Sequence, residues 1–133
     1  MYIPNEFQTT LGHKMIDMGY DLVVGCHPHV LQGIECYKGK YICYSLGNFC
    51  YGGSRNPADK DSGIFRQKFT LIDGVVQPHS DVQFLPCSLS GRSDWNDCQP
   101  RLLTGKEYLR VIEKMNTISA AFGFVLDENG RPK

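Results

Sequence analysis

Two histidines flank a proline in the segment Gly25-Cys26-His27-Pro28-His29, and imidazole nitrogens are common ligands of transition metals. The segment directly follows the apolar run Leu22-Val23-Val24, which predicts a short buried strand. In an extended chain, residues two apart project to the same side at a distance of about 6–7 Å. We therefore predict that His27 and His29 point the same way just past a strand end. There they would serve one metal ion or straddle two ions about 3.5–4 Å apart.

The alternative is a pair of ordinary strand-end histidines bonded to backbone groups, because histidine is often partly buried without binding a metal. The pair supplies only two ligands, so a complete metal site needs carboxylates from elsewhere. Cys26 adjoins the histidines and is the cysteine whose reactivity we single out. No C-x-x-C pair is present, which disfavours a zinc ribbon. We expect the other cysteines to be reduced thiols, mostly within strands (Cys36, Cys43, Cys50, Cys87 and Cys98).

Further polar residues follow the predicted strands. Asn48 lies on the bend Leu46-Gly47-Asn48, where its side chain would either reach a cleft or serve the turn alone. Ser45 would do likewise, but it lacks the Gly-x-Ser-x-Gly surroundings of a nucleophile elbow. Gln32 and Glu35 would either support the two histidines or begin a hairpin. We expect His13 and His79 to be solvated, and Arg55 and Lys60 to face water or meet an anionic substrate.

The bulk composition limits the classes of function. The 133 residues fit one domain, and 14 basic residues balance 14 acidic ones, so no long-range field favours nucleic acid or an anionic membrane. No apolar stretch approaches the roughly 18 residues of a membrane span. The sequence therefore predicts a soluble chain without a transmembrane segment, and it leaves the cellular location of a parent protein open.

Local patterns predict a mixture of helices and hairpins. A capping box at Asn5 and Gln8 begins a helix over about residues 5–18, and Thr104 begins the last helix in the same way. Hairpins turn at Lys38-Gly39 and at Asp73-Gly74, and the alternating apolar residues of the second hairpin (Phe65, Phe69 and Leu71) are expected in the core. The second hairpin would return over residues 75–85. The segment 52–62 reads as a surface loop, and residues 127–133 as a frayed polar tail after a domain of residues 1–126.

Two longer motifs carry a resemblance to a known family. The segment GYDLVVGCHPHVLQ of residues 19–32, followed by Tyr44-Ser45-Leu46-Gly47-Asn48-Phe49, resembles the CapA family of poly-γ-glutamate capsule biosynthesis proteins. The helix that carries Gln8 and the strand end Phe84-Leu85-Pro86 are also similar to that family. The resemblance is dense from about residue 4 to residue 86, and two separate motifs in the right order make chance similarity improbable.

The resemblance implies a fold, a cofactor and a site. It implies an α/β (α+β) chain that forms the C-terminal half of a metallophosphoesterase-like α/β/β/α sandwich, with a mostly antiparallel mixed sheet and flanking helices. His27 and His29 would bind divalent metal ions (Mn, Zn or Fe), and Asn48 would be a catalytic orienting group. The early Asp-x-His and Asn-His motifs of such domains have no counterpart here, so the metal site would be incomplete.

The implied function is capsule biosynthesis on a dinuclear metallophosphatase-like scaffold, inactive in this chain alone. The substrate would be an anionic polymer or a phosphoester. The alternative is a non-catalytic binding module for an anionic polymer or a protein partner. The face toward the absent half should expose apolar residues around Leu22–Val24 and Tyr41–Leu46, and such a face would favour a homo-oligomer.

Overall fold

The computed structural model describes residues 2–77 and 81–133. The helices are α1 (Glu6–Asp17) and α2 (Gly105–Ser119), and a 3-10 turn over Ala120–Phe122 extends the second. The strands are β1 (Leu22–Val24), β2 (Ile34–Tyr37), β3 (Lys40–Cys43), β4 (Asp61–Lys68), β5 (Leu71–Ile72), β6 (Val75–Val76), β7 (Asp81–Ser88) and β8 (Arg101–Leu102). The predicted α+β class is confirmed.

Local signals determine the ends of α1. Its N-cap is Asn5, whose side chain accepts a hydrogen bond from the Gln8 amide at 2.9 Å, while the Gln8 side chain accepts from the Asn5 amide at 3.0 Å. The predicted capping box is therefore confirmed. Gly19 follows the helix with φ 104°, a conformation that glycine adopts without steric cost, and the chain then enters β1.

A small mixed sheet has the strand order β1-β3-β2. Strand β1 runs parallel to β3, and β2 pairs with β3 as the predicted hairpin. The turn residues Lys38 and Gly39 have φ values of 52° and 77°, which match a tight two-residue hairpin turn. Strand β1 is an edge strand of this sheet.

A long ribbon forms the second sheet, in which β4 pairs antiparallel with β7 from Asp61↔Ser88 to Lys68↔Asp81. The turn at Asp73-Gly74 is confirmed, although it closes only the short hairpin of β5 and β6. The expectation that Phe69 and Leu71 belong to the core is wrong, since they are 39% and 60% exposed. At the end that carries β5 and β6, the ribbon extends beyond the core. Part of the predicted return strand, residues 78–80 with His79, lies outside the described residues.

The main core forms where α2 crosses both sheets. One face of α2 is buried against the two sheets, and Phe84 at the centre is fully buried. The buried side chains of α2 follow the 3.6-residue period (Val111, Ile112, Met115 and Ile118). The predicted capping box at Thr104 is wrong, because the Thr104 side chain makes no cap hydrogen bond. Burial of the apolar face therefore stabilises α2 without that cap.

The polar C-terminal segment packs against the ribbon, so the expectation of a frayed tail is wrong. The Phe84 amide donates to the Gly130 carbonyl at 2.8 Å, and Leu126 forms a β-bridge with Pro132. Arg131 pairs with Asp81 at the start of β7. The contacts of Gly130 with Phe84 and of Arg131 with Asp81 join residues 46 and 50 positions apart, which local sequence patterns do not reveal.

An ion-pair network joins α2 to the start of β4. Arg110 donates two hydrogen bonds to the Asp61 carboxylate at 2.7 and 2.9 Å, and Lys114 donates to Asp61 and Asp59 at 2.8 Å each. Burial by itself would raise the pKa of Asp61, but the hydrogen bonds from Arg110 and Lys114 outweigh it and hold that pKa below its ordinary value.

Asp61→Asn is expected to lower the free energy of unfolding by about 1–3 kcal/mol at pH 7, because Arg110 and Lys114 each lose one of two carboxylate partners. The folded-state pKa is depressed, so this contribution is complete above the ordinary carboxyl pKa of about 3.9 and is lost as the pH falls through the folded value. Urea unfolding at pH 7 and pH 2.5 measures the difference in unfolding free energy between the variant and the wild type, which should shrink at the lower pH.

The control is Asp94→Asn, which removes an exposed pair with Arg92 and should change the unfolding free energy little. Equal losses in both variants would contradict the prediction.

Candidate metal centre

The chain leaves the small sheet directly after β1, and Gly25 makes that exit possible. The Gly25 amide donates to the Cys43 carbonyl at 2.8 Å, which extends the pairing with β3 by one residue. A Cβ atom at Gly25 would lie 2.4 Å from the Tyr44 carbonyl oxygen, closer than any real contact of that kind. Because Gly25 has no side chain, the chain can pass close to the backbone that follows β3 before it reaches Cys26.

The two histidines do not continue in an extended conformation, and this part of the prediction is wrong. His27 has φ 99° and His29 has φ 61°, so the backbone bends on both sides of Pro28. Both side chains are exposed, and their ring centroids lie 6.2 Å apart with a 46° angle between the planes. Left-handed conformations at non-glycine residues cost on the order of 1–3 kcal/mol each and concentrate at functional sites. The bend still brings the two imidazoles together.

Asn48 orients the ring of His29. The Asn48 Nδ2 group donates to the His29 carbonyl at 3.1 Å, so its Oδ1 atom faces the His29 Nδ1 atom at 2.8 Å. Because an amide oxygen only accepts, Nδ1 must carry the proton, and the lone pair of the neutral ring lies on Nε2. A metal-binding histidine commonly has this arrangement, with one ring nitrogen held by an oxygen acceptor and the other free for the metal. Asn48 itself is only 9% exposed.

An aromatic ring lies beside the same histidine. The centroids of the His29 and Tyr51 rings are 4.9 Å apart, with a 40° angle between the planes. This separation is within the usual range for interacting aromatic side chains. We use the term imidazole site for His27 and His29 together with Asn48 and Tyr51.

The donor set of the imidazole site fits a metal ion in part. Two imidazoles at the surface, one of them with Nδ1 bonded to Asn48, are suitable nitrogen donors for zinc or iron. Within residues 2–77 and 81–133, however, no group of three or more His, Cys, Asp or Glu residues is arranged to hold a metal. The described residues therefore bring two possible nitrogen donors together without a third His, Cys, Asp or Glu ligand beside them.

His13 does not behave as a solvated histidine, so that prediction is wrong. Its Nε2 atom lies 2.9 Å from a Glu35 carboxylate oxygen, and its ring stacks on Tyr37 at 4.0 Å. The other Glu35 oxygen accepts a 2.6 Å hydrogen bond from the Tyr44 hydroxyl. Burial and then the nearby carboxylate raise the pKa of Tyr44, which keeps the hydroxyl protonated as a donor. Glu35 thus joins α1 to β2 and does not support the imidazole site.

Other predicted site residues have structural partners. Gln32 accepts a hydrogen bond from Gln8 at 2.8 Å, and Ser45 is buried and accepts from the Gly47 amide at 3.3 Å. Lys60 donates to three backbone carbonyls of residues 92, 93 and 95, whereas Arg55 is exposed. Ser45, Arg55 and Lys60 make no hydrogen bond to either histidine among the contacts of the described residues.

All six cysteines are free thiols, as predicted, and three of the five expected mostly within strands do lie in strands (Cys36, Cys43 and Cys87). Cys43 and Cys87 are buried, and burial raises the pKa of both thiols. Cys26 beside the histidines is exposed, as are the remaining three (Cys36, Cys50 and Cys98).

An apolar groove of about 490 Å³ lies between α1 and the edge strand β1. Phe7 is 72% exposed, Leu11 is 44% exposed and Val24 is 53% exposed. The second run predicted for this face, Tyr41–Leu46, is instead mostly buried in the core. Self-association through the groove stays a prediction.

Comparison with known proteins supports the resemblance drawn from the motifs. Residues 1–52 match the family described as Bacterial capsule synthesis protein PGA_cap. The PGA biosynthesis protein CapA of Bacillus subtilis is 54% identical over 48 residues, which are 36% of this chain and 13% of that protein. The Capsule biosynthesis protein CapA of Bacillus anthracis is 50% identical over 79 residues, 55% of this chain and 18% of that protein.

A third relative, the Uncharacterized protein y4sH of Sinorhizobium fredii, is 50% identical over 70 residues, 53% of this chain and 15% of that protein. The matched segments thus span less than a fifth of each of these relatives. The comparisons confirm the resemblance to CapA proteins over a part of this chain and a part of each relative. In the described part of the chain, no helix combines the length and apolar character needed to cross a membrane.

Proposed function

We propose that this chain is the part of a CapA-type capsule biosynthesis protein that supplies nitrogen ligands to a dinuclear, metallophosphatase-like metal centre. His27 and His29 would hold the metal ions, and Asn48 would orient His29. The observation that carries the proposal is the pair of hydrogen bonds between Asn48 and His29, because together they leave the ring's lone pair on Nε2.

The carboxylates of the proposed centre come from outside these 133 residues. The described residues bring no third ligand to the two histidines, and a dinuclear centre needs bridging or terminal oxygen donors. When bound, the metal pair would activate a water molecule and stabilise the charge that develops on a phosphoester or amide-like bond. The isolated chain is therefore expected to be inactive.

A non-catalytic module for an anionic polymer is the alternative function. The groove of about 430 Å³ beside β8 is lined by several cations, including Arg92, Arg101 and Arg110. Arg92 is paired with Asp94, and Arg110 with Asp61 and Glu107, so much of this positive charge is already neutralised. The structure therefore supports the alternative less than it supports the metal centre.

An assay of the isolated chain with a phosphodiester and Mn²⁺ separates the two functions. We expect no turnover and only weak Mn²⁺ binding at the histidines, because two donors make an incomplete shell. Mn²⁺-dependent turnover that disappears in His29→Ala would overturn the proposed inactivity. Tight binding of poly-γ-glutamate that His29→Ala leaves unchanged, without Mn²⁺ binding, would favour the binding module.

A further inference from the structure

Tyr51 contacts one of the two proposed metal ligands, yet no motif of the sequence points to it. The hydrogen bond from Nδ1 to Asn48 fixes one atom of the His29 ring but leaves the ring free to tilt about that bond. The Tyr51 ring, 4.9 Å away, restricts this tilt from one face. Together, the two contacts determine where the Nε2 lone pair points.

Asn96 holds the loop that carries Tyr51. Asn96 is 6% exposed, and its Nδ2 group donates to the carbonyls of Tyr51 at 2.7 Å and Ser54 at 3.1 Å. Its Oδ1 atom accepts from the Cys98 amide at 2.9 Å, and its own amide donates to the Arg55 carbonyl at 2.8 Å. The Nδ2 group and the backbone amide of Asn96 therefore join the loop at residues 51–55 to the loop at residues 90–98, while Oδ1 makes a hydrogen bond within the second loop.

Lys60 adds a second connection between the same two parts of the chain. Its ammonium group donates to the carbonyls of Arg92, Ser93 and Trp95 at 2.8–3.2 Å. The segment 52–62, which the sequence marks only as a polar surface loop, is thus fastened near both of its ends. A fastened loop keeps an aromatic side chain in one place, whereas a free loop would let it rotate away.

Gly53 provides the space that Tyr51 occupies. A Cβ atom at Gly53 would lie 2.3 Å from the Tyr51 hydroxyl oxygen and 2.4 Å from the adjacent ring carbon. The obstructing atoms belong to the end of a side chain, so an alanine here would displace the Tyr51 ring without disturbing the core. A Cβ atom at the neighbouring Gly52 would meet no atom within 4 Å, and Gly52 has no left-handed φ, which makes it a matched control.

We propose that Tyr51 is a positioning residue of the imidazole site, held against His29 by the Asn96 hydrogen bonds and by the space at Gly53. The inference rests on the proposed function, since a fixed Nε2 direction matters only where that atom binds a ligand. Tyr51 acts through His29 and needs no contact with the metal itself. Tyr51 restricts the orientation of the imidazole before a metal binds. The ring therefore loses less conformational entropy on binding.

The test uses the metal-free chain and long-range ¹H–¹⁵N spectra of the histidine rings. Gly53→Ala, Asn96→Ala and Tyr51→Leu should move the His29 ring resonances in the same direction, because each removes the aromatic neighbour. Gly52→Ala and Tyr51→Phe should leave them in place. Unchanged His29 resonances in Gly53→Ala, with the fold retained, would overturn the proposal even if Asn96→Ala failed to fold.

Titration with Mn²⁺ then tests whether the positioning serves metal binding. Gly53→Ala should weaken the Mn²⁺ affinity of the imidazole site by about 3- to 10-fold, less than the 10- to 100-fold typical for loss of a direct outer-shell partner. An affinity equal to that of Gly52→Ala would overturn the role in metal binding. If the metal-free resonances move as expected but Mn²⁺ affects neither ring in the wild-type chain, the positioning stands and the proposed metal function fails.

Discussion

Gly25→Ala is expected to destabilise the chain by about 2–3 kcal/mol, toward the upper end of the roughly 1–3 kcal/mol that overpacking typically costs. The added methyl group would meet the Tyr44 carbonyl oxygen at 2.4 Å and the carbonyl carbon at 3.2 Å. Both are backbone atoms next to β3, so relief requires the segment after β1 to move away from the sheet. This movement would break the 2.8 Å hydrogen bond from Gly25 to Cys43.

Urea unfolding of Gly25→Ala and Gly52→Ala measures this effect with a control of the same chemistry. Gly52→Ala adds the same methyl group in open space and should unfold close to the wild-type midpoint. Because the histidines follow Gly25 directly, the first variant should also move the ring resonances of His27 and His29. Equal midpoints for both variants would show that the exit from β1 is not constrained as described.

His29→Ala is expected to lower the Mn²⁺ affinity of the imidazole site by at least about 10-fold, because it removes one of two nitrogen donors. Asn48→Ala leaves both rings present but frees the His29 ring and its Nδ1 proton, so it should cause a smaller loss. Isothermal titration of Mn²⁺ into the three proteins measures the order. His13→Ala is the control, since His13 is bonded to Glu35. A loss in His13→Ala as large as that in His29→Ala would contradict the assignment of the ligands.

The sequence predicted those features that depend on neighbouring residues. The Asn5–Gln8 capping box and the turns at Lys38-Gly39 and Asp73-Gly74 all form as expected, because each is determined within a few positions. The capping box at Thr104 failed, since packing of α2 determines that helix end without a side-chain hydrogen bond.

The geometry of the site depends on contacts between distant residues, and the sequence alone did not reveal it. Proline at position 28 favours an extended His27, yet the bend toward Asn48 imposes a positive φ on that residue. The His13–Glu35 pair joins residues 22 positions apart, and the Asn96–Tyr51 hydrogen bond joins residues 45 positions apart. Periodicity and turn signals carry no information at such separations.

The most direct test of the account is a titration of the ¹⁵N-labelled wild-type chain with Mn²⁺, followed through the histidine ring nitrogens. Paramagnetic broadening reports even weak occupancy, which suits a site with two donors. We expect the resonances of His27 and His29 to broaden first, with Nε2 as the affected nitrogen of His29, while those of His13 stay sharp. Broadening at surface carboxylates or at His13, with both rings of the imidazole site unchanged, would contradict the claim that these histidines are metal ligands.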